Sequence, residues 1–207
     1  MNRLAIFGAG GHGKVVADCA FATGWKEINF FDEFLQDSDS TGIWNIVGNK
    51  TDLKNNLMHY DGVVVAIGDN IQRQQIFLEL LELDAALTNV IHPSAYVSKH
   101  IDIGIGCVIM AGAVINIGSR LGNNCIINTG ATIDHDCILG NGVHISPGVN
   151  LAGGVTVGNC SWVGIGATVR QKILIGSESI VGAGSVVIKD VGGNKIVVGV
   201  PARELTK

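Results

Sequence analysis

His135 stands between two carboxylates, in Ile133-Asp134-His135-Asp136-Cys137. An adjacent carboxylate orients an imidazole and favours its protonated form, which suits a proton acceptor working near neutral pH. His144 follows nine residues later, with Asn128 upstream. A second group of candidates lies near the start. Gly8-Ala9-Gly10-Gly11-His12-Gly13 has G-x-G-x-x-G spacing between a strand expected over 4–7 and a helix expected over 14–23. Such a turn brings backbone amides and a helix N-terminus close to a phosphate. Asp32, after a strand expected over 28–31, is placed for a ribose hydroxyl. A third strand is expected over 63–67, and Gly68-Asp69-Asn70 then turns into a helix with Arg73 on its first turn. The glycine motif by itself admits a dinucleotide, a nucleotide-sugar or only a tight turn. The stretch 1–88 is half of a full Rossmann unit and has room for one nucleotide, which favours the nucleotide-sugar. His12 either faces a phosphate or sits at the turn.

The elements that must position these residues are written in a period of six. From Ile91 to Val187 every sixth residue is Ile, Leu or Val, without a slip. The fourth residue after each is mostly small, as at Cys107, Ala113, Ser119, Cys125, Ala131 and Cys137. Six fits neither a helical stripe nor a simple strand. It fits a short strand plus a corner, three of which close a triangular coil of 18 residues (three sixes). Stacked coils form a parallel β-helix with Ile91, Ile109, Ile127, Ile145, Val163 and Val181 as one internal ladder. Glycines directly after the aliphatic, at 104, 122, 140, 158, 164, 176 and 182, are expected to supply the corner dihedrals. In that register His135 and His144 are half a coil apart, on different sides of one prism. Gly153 lies one rung from His135, where its amide can reach a thioester carbonyl.

Composition narrows the partners. The 207 residues carry a net charge of −4 without a basic cluster, which argues against nucleic acid. No apolar run has the length of a membrane span and no signal-peptide core precedes Gly8, so a cytoplasmic protein is expected. Of the five cysteines, Cys107, Cys125 and Cys137 fill the small slot of the repeat. No pair has metal spacing, and no metal is expected. A metal-dependent β-helix with three histidine ligands needs a close histidine pair, which His92, His100, His135 and His144 do not provide.

The repeat resembles the hexapeptide-repeat acyltransferases, whose coil is left-handed. The two halves together resemble the bacterial amino-sugar N-acetyltransferases of surface-glycan synthesis, nearest to those acting on UDP-4-amino sugars in the bacillosamine pathway. Perosamine N-acetyltransferases and sialic acid O-acetyltransferases are relatives. The resemblance rests on the glycine motif, Phe31-Asp32-Glu33, Ala66-Ile67-Gly68-Asp69-Asn70 with Arg73, Asn128-Thr129, Asp134-His135-Asp136 and His144-Ile145-Ser146. It implies an α/β half-Rossmann domain over 1–88 that binds a nucleotide-sugar, followed by a left-handed parallel β-helix over 89–207. It implies His135 as catalytic base supported by Asp136, and His144, Gly153, Ile165 and Ala183 as contacts to acetyl-CoA. Gly10, Gly11, His12, Asp32, Glu33 and Gly68 are then expected at the nucleotide-sugar, with Asn128 as a further contact. Where the bacillosamine enzymes carry Glu, Asp136 is one methylene shorter, so either a longer contact or a hand-over to Asp134 is expected. The resemblance also implies a homotrimer with sites between subunits.

Overall fold

The computed structural model describes residues 2–34 and 43–205. The chain begins with a four-stranded parallel sheet in the order β3-β2-β1-β4, made of β1 (Arg3–Phe7), β2 (Glu27–Phe31), β3 (Ile46–Gly48) and β4 (Gly62–Val65). The run of Leu4, Ala5 and Ile6 is fully buried, as a strand covered on both faces requires. Helices α1 (Gly11–Ala22), α2 (Lys50–Asn55) and α3 (Asn70–Glu82) connect the strands. β3 and α2 are additions to the elements expected from sequence. α2 is held by a capping box between Asn49 and Asp52 rather than by a long apolar stripe. α1 starts at Gly11, three residues earlier than expected, so the helix N-terminus lies inside the glycine motif itself.

From Val90 onward the chain winds as a left-handed parallel β-helix. Its first face stacks Val90–Ile91, Val108–Ile109, Ile126–Ile127, His144–Ile145, Trp162–Val163, Ile180–Val181 and Ile196–Val198. The second face runs from Tyr96–Val97 to Val186–Val187, and the third from Asp102–Ile103 to Leu174–Ile175. Ile115, Ile133 and Leu151 pair directly above one another, and all three are buried in one continuous core with the small-slot cysteines and alanines.

The corners correct one expectation. The left-handed dihedral recurs every six residues at 106, 112, 118, 124 and so on to 184, three residues after each aliphatic. Most of these positions are Gly, but Asn124, Asp136, Cys160, Lys172 and Glu178 also adopt it. The glycines directly after the aliphatic are needed for a different reason. A Cβ at Gly140 would lie within 2.8 Å of the Asn159 backbone nitrogen on the next coil, so these positions are small because two coils approach there. Along the edge between the third and first faces, Asn123, Asn141 and Asn159 form a ladder. Each side-chain oxygen accepts the corner amide of the coil before it, as in Asn123 N to Asn141 Oδ1 at 2.8 Å.

The N-terminal unit packs on the first face. Its α1 residues Val16, Ala17, Cys19 and Ala20 share a core with the outward-facing Val90, Val108 and Ile126. Polar contacts reinforce the seam. Arg73 is fully buried, and its guanidinium donates to the carbonyls of Ile67, Gly68, Asn124 and Gly142 at 2.7 to 3.3 Å. Asn70 Nδ2 donates to the carbonyls of Cys160 and Ser161, each at 3.1 Å.

Candidate active site

The glycine motif opens on a cleft of about 430 Å³, with Gly10, Gly11, His12, Asp32, Glu33 and Gly68 in its wall. The six expected nucleotide-side residues are thus brought together. Among the described residues, no atom lies within 4 Å of where a Cβ of Gly10 or Gly11 would stand, so their backbone faces open space. Gly13 is different: a Cβ there would collide with the Gly8 carbonyl, so it is the residue that lets α1 pack on β1. Asp32 serves the protein first. Its Oδ2 accepts the Ala9 amide at 2.8 Å and its Oδ1 accepts the Phe34 amide at 2.9 Å, so the carboxylate also shapes the glycine turn.

His12 lines this cleft, and its ring lies 6.3 Å from that of His144. His144 follows Val90, Val108 and Ile126 in the outward ladder of the first face, where cover by the N-terminal unit ends. It stacks on the indole of Trp162, the next rung, with ring centroids 5.9 Å apart. Both imidazoles are held neutral. Burial, with Arg73 second, lowers His12 to about 4, and burial, then Arg73, then His12, lowers His144 to about 3. Asn128 lies with His144 rather than in the glycine-motif cleft. Its Oδ1 accepts the Thr129 amide at 2.9 Å, which turns its Nδ2 toward His144 Nε2 at 3.3 Å. An amide donor at Nε2 leaves the proton of neutral His144 on Nδ1.

His135 occupies a corner between the second and third faces, well separated in the coil from His144 on the first. Its Nδ1 lies 2.8 Å from Asp136 Oδ2, so the shorter aspartate does reach the ring. Asp134 holds the backbone instead. Its Oδ1 accepts the His135 amide at 2.8 Å and the Asn116 Nδ2 at 3.0 Å. The Asp136 hydrogen bond, then the Asp134 charge, raise the His135 pKa above its ordinary value. The side chain is 58% exposed, and Nε2 is left for a partner from outside the chain. Asp136 takes the left-handed corner dihedral, which Asp tolerates, and this fixes the carboxylate beside the ring.

Gly153 lies beneath His135 on the next coil. A Cβ there would collide with the imidazole Nε2, so glycine is what admits the ring. Among the described residues the amides of Gly153, Ile165 and Ala183 have no protein acceptor, unlike the corner amides satisfied by the asparagine ladder. Ile165 and Ala183 are stacked on the edge between the first and second faces, the Asn128 edge, while Gly153 shares the edge of His135. The expected cofactor contacts are therefore divided between two edges of one prism.

The PglD N-terminal domain family matches residues 3–80, and the bacterial transferase hexapeptide family (six repeats) matches residues 118–153. The acetyltransferase domain of PglB from Neisseria gonorrhoeae FA1090, in complex with acetyl coenzyme A, is 42% identical over 98% of each chain, with a TM-score of 0.95. The chain belongs to the hexapeptide-repeat sugar N-acetyltransferases. A second member, PerB from Caulobacter crescentus in complex with CoA and GDP-perosamine, is 38% identical over 98% of this chain and 97% of that one, with a TM-score of 0.92. WeeI from Acinetobacter baumannii AYE shares the fold, at 24% identity, 99% and 100% coverage and a TM-score of 0.90.

In this acetyltransferase, sequence reasoning missed Trp162 and gave Asn70 and Arg73 only a place in the turn and helix after β4. Their contacts join residues far apart in the chain, such as Asn70 with Ser161, which the local sequence does not reveal. The repeat did carry one signal for Trp162: it stands in the outward slot directly before an internal valine, one coil after His144.

Proposed function

We propose that the protein transfers the acetyl group of acetyl-CoA to the 4-amino group of a UDP-linked amino-deoxy sugar of the bacillosamine type. The observation that carries this reading is the His135–Asp136 pair on an open corner, with the Gly153 backbone amide, unpaired among the described residues, one rung away. The PglB relative holds acetyl coenzyme A, and the PerB relative holds CoA with an amino sugar on a nucleotide. UDP is assigned from the whole-chain resemblance to the bacillosamine-pathway enzymes.

In the proposed reaction the amine nitrogen attacks the thioester carbonyl carbon directly. A C–N bond forms and the amine proton passes to His135 Nε2, while Asp136 holds Nδ1 and stabilises the imidazolium that results. The oxyanion is met by the Gly153 amide, a donor that needs no reorganisation. Collapse breaks the C–S bond, and the proton returns to the departing CoA sulfur. No covalent acyl-enzyme is needed, and alignment of the two substrates in one cleft supplies much of the acceleration. The nucleotide lies against Gly10, Gly11, His12, Asp32, Glu33 and Gly68, and acetyl-CoA runs along Ile165 and Ala183, with His144 and Asn128 where the two meet.

Because the His135 edge and the His144 face belong to different sides of one prism, the site is proposed to form between subunits of a homotrimer in the cytoplasm. The test is a panel of UDP- and GDP-linked 4-amino sugars, with sialic acid as an O-acetylation acceptor, assayed for CoA release from acetyl-CoA with mass spectrometry of the products. The expected result is N-acetylation, best with the UDP-linked sugar. Preference for a GDP-linked sugar would reassign the nucleotide, and turnover of sialic acid alone would overturn N-acetylation.

A further inference from the structure

The corner that carries His135 is held by the coil before it. Asn116, Ile117, Gly118 and Ser119 lie one rung from Asp134, His135, Asp136 and Cys137. The Ile117 carbonyl accepts the Asp136 amide at 3.1 Å. A Cβ at Gly118 would collide with Asp136 Oδ1, so this carboxylate rests over bare backbone. Ser119 Oγ donates to the Asp134 carbonyl at 2.9 Å and accepts the Cys137 amide at 3.3 Å. That pattern recurs at Ser161, whose Oγ donates to the Gly176 carbonyl and accepts the Ser179 amide, so it belongs to the repeat.

The Asn116 contact belongs to this corner alone among the described residues. Its Nδ2 donates to Asp134 Oδ1 at 3.0 Å, on the same oxygen that accepts the His135 amide. Ala152, in the same slot on the coil after, has no side-chain donor to offer. Asp134 is partly exposed, and a carboxylate with one hydrogen bond and water around it turns easily about its last torsion. A second donor on the same oxygen, from a different coil, fixes where the charge sits. Bonds to an ionised acceptor are about twice as strong as neutral ones. The His135 amide first, then Asn116, hold the Asp134 carboxyl below its usual range. The charged groups that act on the His135 ring from its own corner are Asp136 and Asp134. The Cys137 thiol turns inward to the Ala152 carbonyl. In the stack around the corner stand His100 on the coil before Gly118 and Lys172 on the coil after Gly153 and Gly154. Arg170 lies two coils beyond Asp134, and Arg120 is paired with Asp102 on the third face.

We propose that Asn116 is a positioning residue for the base: its amide pins the Asp134 carboxylate, which in turn sets the place of the His135 backbone and the charge felt by its ring. The inference rests on the reading of His135 as proton acceptor and adds a residue from the neighbouring coil.

The test uses the full chain with Asn116→Leu (which keeps the shape and lacks the donor), Asn116→Ala, Asp134→Asn, and Asn116→Leu combined with Asp134→Asn. Each is measured for kcat, both KM values and the pH profile of kcat/KM. Both Asn116 variants are expected to lower kcat by about ten-fold, with each KM within about two-fold of wild type. Their acid limb should move to lower pH, because a carboxylate that drifts from the ring raises its pKa less. Asp134→Asn should move the limb the same way, and adding Asn116→Leu to it should move the limb no further. An acid limb that stays in place in both Asn116 variants, or shifts that add in the double variant, would overturn the positioning role while leaving His135 as base. Failure of both Asn116 variants to bind acetyl-CoA would assign the residue to the fold and also overturn it. Wild-type turnover in His135→Ala would instead remove the base, and the positioning role with it.

Discussion

His135 depends on neighbours in its own turn. Asp136 binds its ring, Asp134 binds its amide, and all three lie within one corner, which is why this arrangement was readable from three consecutive letters. His135→Ala is expected to lower kcat by about 100-fold to 10,000-fold with little change in KM, because it removes proton transfer and leaves binding in place. Steady-state kinetics with both substrates checks this. The pH profile carries a second expectation. His135 must be neutral to accept a proton, and Asp136 first, then Asp134, raise its pKa. The acid limb of kcat/KM should therefore lie above the ordinary histidine value of about 6.5. Asp136→Asn removes the larger cause, so the limb should move to lower pH while kcat falls. A limb that stays in place would separate Asp136 from the base. Trp162 and Asn70 were not legible at this scale, since each is defined by contacts made across the stacked coils.

At the scale of elements, the six-residue period foretold the stack, its register and its internal ladders. It misplaced the reason for the glycines. The left-handed corner falls three residues after the aliphatic, and the glycines directly after the aliphatic answer to the next coil instead. A repeat of one chain cannot distinguish a glycine needed for its dihedral from one needed for close approach, since both are simply Gly. Gly153 belongs to the close-approach kind. Gly153→Ala should cut kcat sharply by displacing His135, yet leave the melting temperature nearly unchanged because the displaced ring is exposed and free to move outward. A variant with normal kcat would show that His135 does not need its place above the glycine. Between elements, Arg73 ties the turn after β4 to two coils through four carbonyls. Arg73→Met should cost about 3 kcal/mol or more, read as a loss of urea midpoint, because those carbonyls are left unpaired. A midpoint within error of wild type would contradict the clamp.

Across the whole molecule, the N-terminal unit and the β-helix are joined by a seam that encloses His12 and His144. The two halves were legible separately, one as a glycine turn between strand and helix and the other as a repeat. Their docking was not, because it depends on which outward residues of the first face α1 covers. The seam makes the fold sensitive to acid. Both imidazoles have folded pKa values, about 4 and about 3, below the unfolded 6.5. Between those limits the unfolded chain binds protons that the folded chain does not, so stability falls as the pH drops through that window. Near pH 5 the loss should be about 2 kcal/mol for each ring, visible as a lower melting temperature than at neutral pH. A melting temperature that does not change would contradict the neutral pair.

The proposed site draws on the His135 edge of one protomer and the His144 face of another. Mixing tests it most directly: His135→Ala and His144→Ala are each prepared inactive, co-refolded and assayed for CoA release. The account predicts that activity returns in the mixture, since some interfaces then pair an intact His135 edge with an intact His144 face. A mixed oligomer that forms and stays inactive, or a fully active monomeric wild type, would contradict it.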